Sequence, residues 1–575
     1  MKYAVFDIES ENWIRIRALG FFDGKEYFDF FPSYNPKDGR KLVRAFLNHL
    51  DQKKYDGFRI YAHNGGKFDF LFLLEELHER KWHLRYIERG GRIVCLYVQT
   101  MKGFKFHFAD SYALLTGSLK SLGEVFDVAH KKSQFDFEAG KRVRVTKKLL
   151  EYLKQDCYCL FEVLTSFFEN EWIEKPQLTI ASQALHTFRT RFQQGEMYRI
   201  ELPFEELFRE NFYSGGRVEV YKGTGKNLTC FDVNSLYPFA MLQEMPCGMM
   251  KHTGKYHKDK IGFYNVTISK VPEFYISPLL VKQDHKNFYV NGKGDYFLSS
   301  ATLEMLRKDY AVKFEVNYGF VFPDREKLFV DYVHTFYKMK QEHKGDAFYF
   351  IAKLMLNSLY GKLGQSRFRE SAVSYSEDLK RFRTDDTLTQ YGLVFVPNES
   401  KSKYVLPYLA SYITELARVH HFKIMRENPE SIYYCDTDSL YTDSPGSFKK
   451  FVGSRIGQLS NEGKFSDCIF LAPKCYALKN GSKEKIRFKG FQTDQFTFSE
   501  FKRSLKGGLK LTQSQTRMLS FREAMKRKEG VIESQTAFLK LVIQKKKMEA
   551  SYDRRQLIAS KRFVFDTQPL EREMI

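Results

Sequence analysis

At 575 residues and 43% hydrophobic content, the chain can bury several cores, and about 100 to 200 residues per domain predicts roughly three to five packed units. A surplus of 92 Lys and Arg over 70 Asp and Glu, net +22, points to a polyanionic partner such as nucleic acid or an anionic membrane, and the 55 Phe and 35 Tyr supply core and possible base-stacking platforms. No run approaches the eighteen or so apolar residues of a membrane span, the eight Cys lack a disulfide framework, and MKYAVFDIES leaves no room for a signal peptide, so we expect a cytoplasmic, non-secreted protein.

From residue 1 to about 168, short β-type runs (YAVFDI, FRIYAHN, RIVCLYVQ, FKFHFAD) alternate with helical stretches and end in a long helix over 147–168, the pattern of an α/β unit. The CYC at 157–159 has no zinc-spaced partners and reads as packing in that helix. A second region opens after EKPQLT, and its YSGG at 213–216 suits a tight turn or a close backbone approach. TCFDVNSLYP at 229–238 reads as a buried strand that delivers an Asp and then turns into a helix. Helical periodicity returns over 346–362, polar and β-type residues fill 365–408, a helix covers roughly 410–427, and SIYYCDTDSLYT reads as a hairpin. The stretch 501–575 holds 18 Lys and Arg against 8 Asp and Glu; we read it as a phosphate-tracking surface over the plainer solvated helical face.

Two constellations carry chemistry. In the first, Asp7 and Glu9 lie two apart on a strand, so both carboxylates point to one side. Adjacent carboxylates resist joint ionisation unless a cation lies between them. Asp69 follows a Gly-containing turn in AHNGGKFDFLFL, and Tyr152 and Asp156 fall at i and i+4 on one helical face. Each element alone is weak: an exposed edge strand or a surface pair would show the same letters.

The order DxE, N-x3-FD, YxxxD resembles the three exonuclease motifs of proofreading family B DNA polymerases. By that resemblance Asp7, Glu9, Asp69 and Asp156 are metal ligands for two ions, Tyr152 orients the attacking water, and Lys132 supports the carboxylates. Asn64, Phe68, Ser118 and Leu119 match residues that grip a frayed 3′ end. His63 reads as a packed histidine rather than a ligand, and NGGKFD is a longer, Gly-containing loop than in some members.

In the second constellation, Asp232 ends the strand of DVNSLYP, while Asp436 and Asp438 crowd the turn of YCDTDS; three carboxylates at strand ends are what phosphoryl transfer between two metal ions requires. In AKLMLNSLYGK, Lys353, Asn357, Tyr360 and Gly361 share a helical face suited to a nucleoside triphosphate, with Leu354, Leu356 and Leu359 available to a core on the other side. These segments resemble motifs A, B and C of family B DNA polymerases. The resemblance makes Asp232 and Asp438 the principal metal ligands, with Val233 beside Asp232 in the ligand set and Asp436 supporting; Tyr237 excludes a ribose 2′-hydroxyl, and Lys340 is a further phosphate contact. Tyr213, Gly215 and Gly216 match the YxGG/A element, Thr414 and Arg418 in TELAR a primer-binding element, and Lys474 and Tyr476 the KxY motif, all implied DNA contacts.

The compact length, SLYP and NSLYG are similar to the protein-primed branch of that family, found in viruses and plasmids with linear genomes. The implied fold is α/β and α+β multidomain: an RNase H-like 3′–5′ exonuclease domain at 1–175, then a right-hand polymerase domain at 176–575 with two insertions. Its palm falls around 200–240 and 410–490, insertion 1 within 239–335, fingers at about 336–364, insertion 2 at about 365–408, and a basic thumb at about 495–575. The implied activity is DNA-dependent DNA synthesis with proofreading, protein priming and strand displacement, using Mg2+ or Mn2+, two ions per active site. The implied partners are DNA primer-template, dNTPs and a terminal protein primer, with no membrane and a monomeric state. The alternative is a DNA exonuclease or DNA-binding replication factor without polymerase activity.

Overall fold

The computed structural model describes residues 1–11, 15–31, 39–133, 135, 144–284, 286–374, 393–399, 402–505, 511–518, 543–549, 556–558 and 566–575. Its N-terminal strand, Tyr3–Glu11, pairs antiparallel with Arg15–Phe22 and parallel with Arg59–Ala62, which continues in parallel to Lys105–Asp110. Arg92–Gln99 and His83–Arg89 extend the sheet on that side, and Tyr27–Phe30 closes the other. The α/β reading of the first unit is thus realised, with three strands, Arg15–Phe22, Tyr27–Phe30 and His83–Arg89, that the pattern did not reveal.

One register position explains how the long helix reaches this sheet. Asp7 is paired with Gly20, and a Cβ at Gly20 would stand 2.9 Å from the Leu153 side chain and 2.7 Å from the Tyr27 hydroxyl. The missing side chain lets helix Lys147–Phe168 settle on the strands that carry Asp7 and Glu9. Thr146 caps that helix by accepting from Leu149 N–H at 3.2 Å, and Leu149, Leu153, Leu160, Val163, Leu164 and Phe167 form its inward stripe. Cys157 and Cys159 are buried there, and all eight cysteines are free and buried.

The hairpin Phe368–Ser374/Leu393–Glu399, within the expected second insertion, adds to the same sheet: Ser371, Ala372 and Val373 pair antiparallel with Ile87, Tyr86 and Arg85. The result is a nine-stranded sheet assembled from distant parts of the chain. Residues 375–392 of that insertion lie outside the described residues. The base of the hairpin is held by Glu205, fully buried, which accepts from Arg199 Nε at 3.0 Å, Arg209 at 3.3 Å and Arg367 Nε at 3.2 Å.

A second, seven-stranded antiparallel sheet runs in the order Lys483–Phe488, Cys475–Asn480, Leu459–Ala472, Thr224–Val233, Ser439–Thr442, Ile432–Asp436, Val218–Val220. Its central strand and hairpin are the two predicted from TCFDV and SIYYCDTDSLYT. Helix Pro407–Met425 packs beside helix Leu236–Met241 and helix Ala347–Leu363, and the latter pairs with Val330–Glu342. Within 239–335 the chain forms a four-stranded sheet and helix Ser300–Tyr310, whose start is held by buried Glu415 through Ser299 N–H at 2.9 Å and the Thr302 hydroxyl at 2.5 Å.

Most of the basic stretch beyond 505 lies outside the described residues, including 506–510, 519–542 and 559–565. Its final segment returns to the second sheet. The Thr567 hydroxyl donates to the carbonyls of Val220 and Tyr221, each at 3.0 Å, and Leu570–Glu571 pairs in parallel with Val290 and Asn291. Among the described residues no helix is long and apolar enough to cross a membrane.

Candidate active sites

The first site gathers where the helix meets the N-terminal strand. Carboxylate oxygens of Asp7, Glu9 and Asp156 lie within 4.8 Å of one another. Burial and then the charge of Asp156 push Asp7 up to about 7, with Lys132 opposing. Burial, Asp7 and Asp156 hold Glu9 well above the usual carboxylate range, and burial raises Asp156. Asp69, 2% exposed at the start of helix Asp69–Glu79, is raised by burial and by Asp7, and its Oδ1 accepts from Ile8 N–H at 3.1 Å. Asp69 therefore braces the strand between Asp7 and Glu9 through one of its oxygens.

Lys132 donates to Asp156 and lies 4.8 Å from the centre of the Tyr152 ring. It is the cation that partly offsets the cluster. Asp156 Oδ1 remains buried without a hydrogen-bond partner among the described residues. Several carboxylates around one orphaned oxygen make an all-oxygen donor set of the kind hard divalent cations take.

Near this cluster, Asn64 adopts a left-handed backbone and receives a hydrogen bond from Arg92 at 3.0 Å, while half-buried Phe68 packs edge-on against Phe72. Ser118 caps helix Leu119–Val125 through Ser121 N–H at 3.1 Å, with Leu119 mostly buried beneath it. His63 is held between Ser111 and the Gly117 carbonyl, in keeping with a packing role.

The second site forms at the centre of the seven-stranded sheet. Asp232 stands opposite Ser439 in register, and Val233 N–H donates to the Asp438 carbonyl at 2.8 Å, so the distant carboxylates of Asp232 and Asp438 come together. Burial, then Asp438 and Glu462, push Asp232 up to about 7; burial and Asp436 raise Asp438. Sequence reasoning missed Glu462, which lies beside a bulge in strand Leu459–Ala472 where alternation breaks. Asp436 turns to Lys474, whose Nζ donates to its oxygens at 2.7 and 2.9 Å.

Lys340 Nζ donates to the Ser235 hydroxyl at 3.0 Å and lowers the Asp232 pKa, while burial and nearby Lys353 hold Lys340 itself below its usual range. Lys353 and Asn357 are exposed on helix Ala347–Leu363, whereas Leu356 and Leu359 are buried and Leu354 is half-buried, so the core face is where the leucines put it and the polar residues lie on the other side. Tyr360 stacks on Tyr237 with ring centres 4.3 Å apart. Arg418 donates to the carbonyls of Ser214 and Gly215, which joins the TELAR and YSGG elements beside Tyr213. Gly216 leaves room for the hairpin turn: a Cβ there would meet Thr437 at 2.6 Å. Tyr476 packs against Tyr434 and Phe470. Thr414 is 1% exposed and donates to the Ser411 carbonyl, so it acts inside its helix.

The family described as DNA polymerase type B, organellar and viral, matches residues 50–146 and 141–441. The chain belongs to this family. Among similar proteins, the probable DNA polymerase of Neurospora intermedia is 25% identical over 540 residues, covering 79% of this chain and 55% of the relative. That of Podospora anserina is 25% identical, covering 82% and 50%. The DNA polymerase of Bacillus phage Nf is 27% identical, covering 77% and 82%. The chain spans about half the length of the first two. A structure of phi29 DNA polymerase with primer-template DNA and incoming nucleotides superposes with a TM-score of 0.74 at 20% identity, covering 96% of this chain and 99% of that one. At that identity the likeness is one of fold.

Proposed function

We propose that this chain is a DNA-dependent DNA polymerase with a 3′–5′ proofreading exonuclease, built as palm, fingers and thumb behind the nuclease domain. The observation that carries the reading is the adjacency of Asp232 and Asp438 at the ends of neighbouring strands, with Lys340 beside Asp232 and Lys353 near Lys340. Type B polymerases use divalent metal ions, and Asp232, Asp438 and the Val233 carbonyl would hold Mg2+ or Mn2+, two ions per site, as would Asp7, Glu9, Asp69 and Asp156 at the nuclease site. Such ions, when bound, stabilise charge on the attacking and leaving oxygens.

The chain's own residues do the rest. Lys340, Lys353 and Asn357 would bind the triphosphate of an incoming dNTP. Tyr237, fixed by its stack on Tyr360, would lie under the sugar and exclude a 2′-hydroxyl. Arg418 would shape the Tyr213–Gly216 turn for the primer-template, and Lys474 and Tyr476 would meet the primer end. At the nuclease site Tyr152, beside Lys132, would orient the water, while Asn64, Phe68, Ser118 and Leu119 hold the frayed strand. Protein priming by a terminal protein, strand displacement, a monomeric state and work in the cytoplasm complete the proposal.

The test is extension of a primed circular single-stranded template with Mg2+ and dNTPs, with and without a protein hydroxyl donor. Asp232→Ala should abolish extension and spare 3′–5′ hydrolysis; Asp7→Ala should do the reverse. Extension retained by Asp232→Ala would overturn the assignment.

A further inference from the structure

The loop NGGKFD places Asn64 at φ 63°, a left-handed backbone that Asn tolerates better than most residues. Arg92 fixes its side chain: Nη2 donates to Asn64 Oδ1 at 3.0 Å. The same guanidinium donates through Nη1 to Asp110 Oδ2 at 2.7 Å and lies 4.3 Å from the centre of the Tyr112 ring. Asp110 is fully buried and accepts on its other oxygen from Tyr112 N–H at 3.1 Å. This assembly stands at the ends of adjacent parallel strands, where Ala62 registers with Asp110, next to the strand that carries Asp7.

Direction follows from donor chemistry. A guanidinium only donates, so the amide facing it must present oxygen, and the Asn64 amino group then points away from Arg92. That amino group has no hydrogen-bond partner among the described residues, and Asn64 is partly exposed.

We propose that Arg92, locked by Asp110 and Tyr112, is a positioning residue of the exonuclease site that aims the Asn64 amino group as a donor at an oxygen of the 3′-terminal nucleotide. This rests on the exonuclease reading above. A fixed donor aimed at sugar or phosphate oxygen carries no sequence information, which suits an activity that must remove any base.

The test is steady-state hydrolysis of a short single-stranded oligodeoxynucleotide by the full chain and its variants, with thermal unfolding of each. Arg92→Gln and Asn64→Ala should each raise KM about tenfold with kcat little changed. The double variant should be no worse than Asn64→Ala alone, because Arg92 acts through Asn64. Asn64→Asp keeps an acceptor for Arg92 but offers no donor outward, and should lose as much as Asn64→Ala. Arg92→Lys keeps a cation at Asp110 but lacks the fork, so it should keep the wild-type melting temperature yet not the wild-type KM; it carries the test if Arg92→Gln fails to fold. Additive losses in the double variant, or wild-type KM in Asn64→Asp, would overturn the proposal. If the wild-type chain hydrolyses no DNA, the exonuclease reading fails by itself. Fluorescence anisotropy of the same oligonucleotide with metal chelated then decides the geometry: the same order of Kd among variants sustains it, and equal Kd values overturn it.

Discussion

Lowering the pH should loosen metal from the nuclease cluster by an amount that the structure sets. Burial and the charge of Asp156 place Asp7 at about 7, so below neutrality an arriving cation must displace its proton. For one such carboxyl, going from about pH 7.5 to about pH 5.5 weakens apparent affinity ~25-fold, or ~1.9 kcal/mol. Folding without metal has its own sign. The folded value of Asp7 lies above its unfolded value, so its contribution to stability is fully present below the unfolded pKa and is lost as pH rises through about 7. Calorimetric Mn2+ titration of Asp232→Asn, which leaves the nuclease cluster intact, should show the dissociation constant rising as pH falls. In the acid part of the range, about one proton should be released per ion, seen as buffer-dependent heat. Thermal unfolding should show a larger gain from metal on the alkaline side. A dissociation constant flat across the range, with no buffer-dependent heat, would refute the reasoning.

Glu205→Ala leaves three arginines around a fully buried vacancy and should cost about 3–5 kcal/mol in urea unfolding; a loss under about 1 kcal/mol would mean that the arginines find water instead. Gly216→Ala drives a methyl into Thr437, already at φ 64°, and should cost about 1–3 kcal/mol and depress extension while leaving nuclease activity intact. Lys132→Met removes the cation that lowers both Asp7 and Asp156, so nuclease activity should fall about 10- to 100-fold and its acid limb should move to higher pH. An unshifted pH profile would count against that electrostatic role.

What the sequence disclosed was what local chemistry determines. The helix at 147–168, the strand ending in Asp232 and the YCDTDS hairpin were legible because their periodicities and turn residues act over a few positions. The two carboxylate sites were legible because their acidic motifs, each weak alone, follow one another in an order that a known family shares. Arg92, Asp110 and Glu462 were not, since each acquires its partner only by tertiary packing and its local pattern is that of an ordinary charged residue. The union of strands Phe368–Ser374 and Leu393–Glu399 with the N-terminal sheet was hidden for the same reason: edge pairing depends on backbone geometry that side-chain alternation does not encode. Asp436, read from its motif as supporting the metal ligands, takes Lys474 as its partner, a contact that only the fold makes.

That shared sheet also bears on how the polypeptide is made. A ribosome delivers the segment 83–89 long before its partner 368–374, so during synthesis the N-terminal unit carries an open β-edge. Arg85, Glu88 and Arg89 place charge along that edge, which discourages nascent chains from zipping together before the proper neighbour emerges. Shortening the hairpin should therefore lower soluble yield even where the finished protein tolerates the loss.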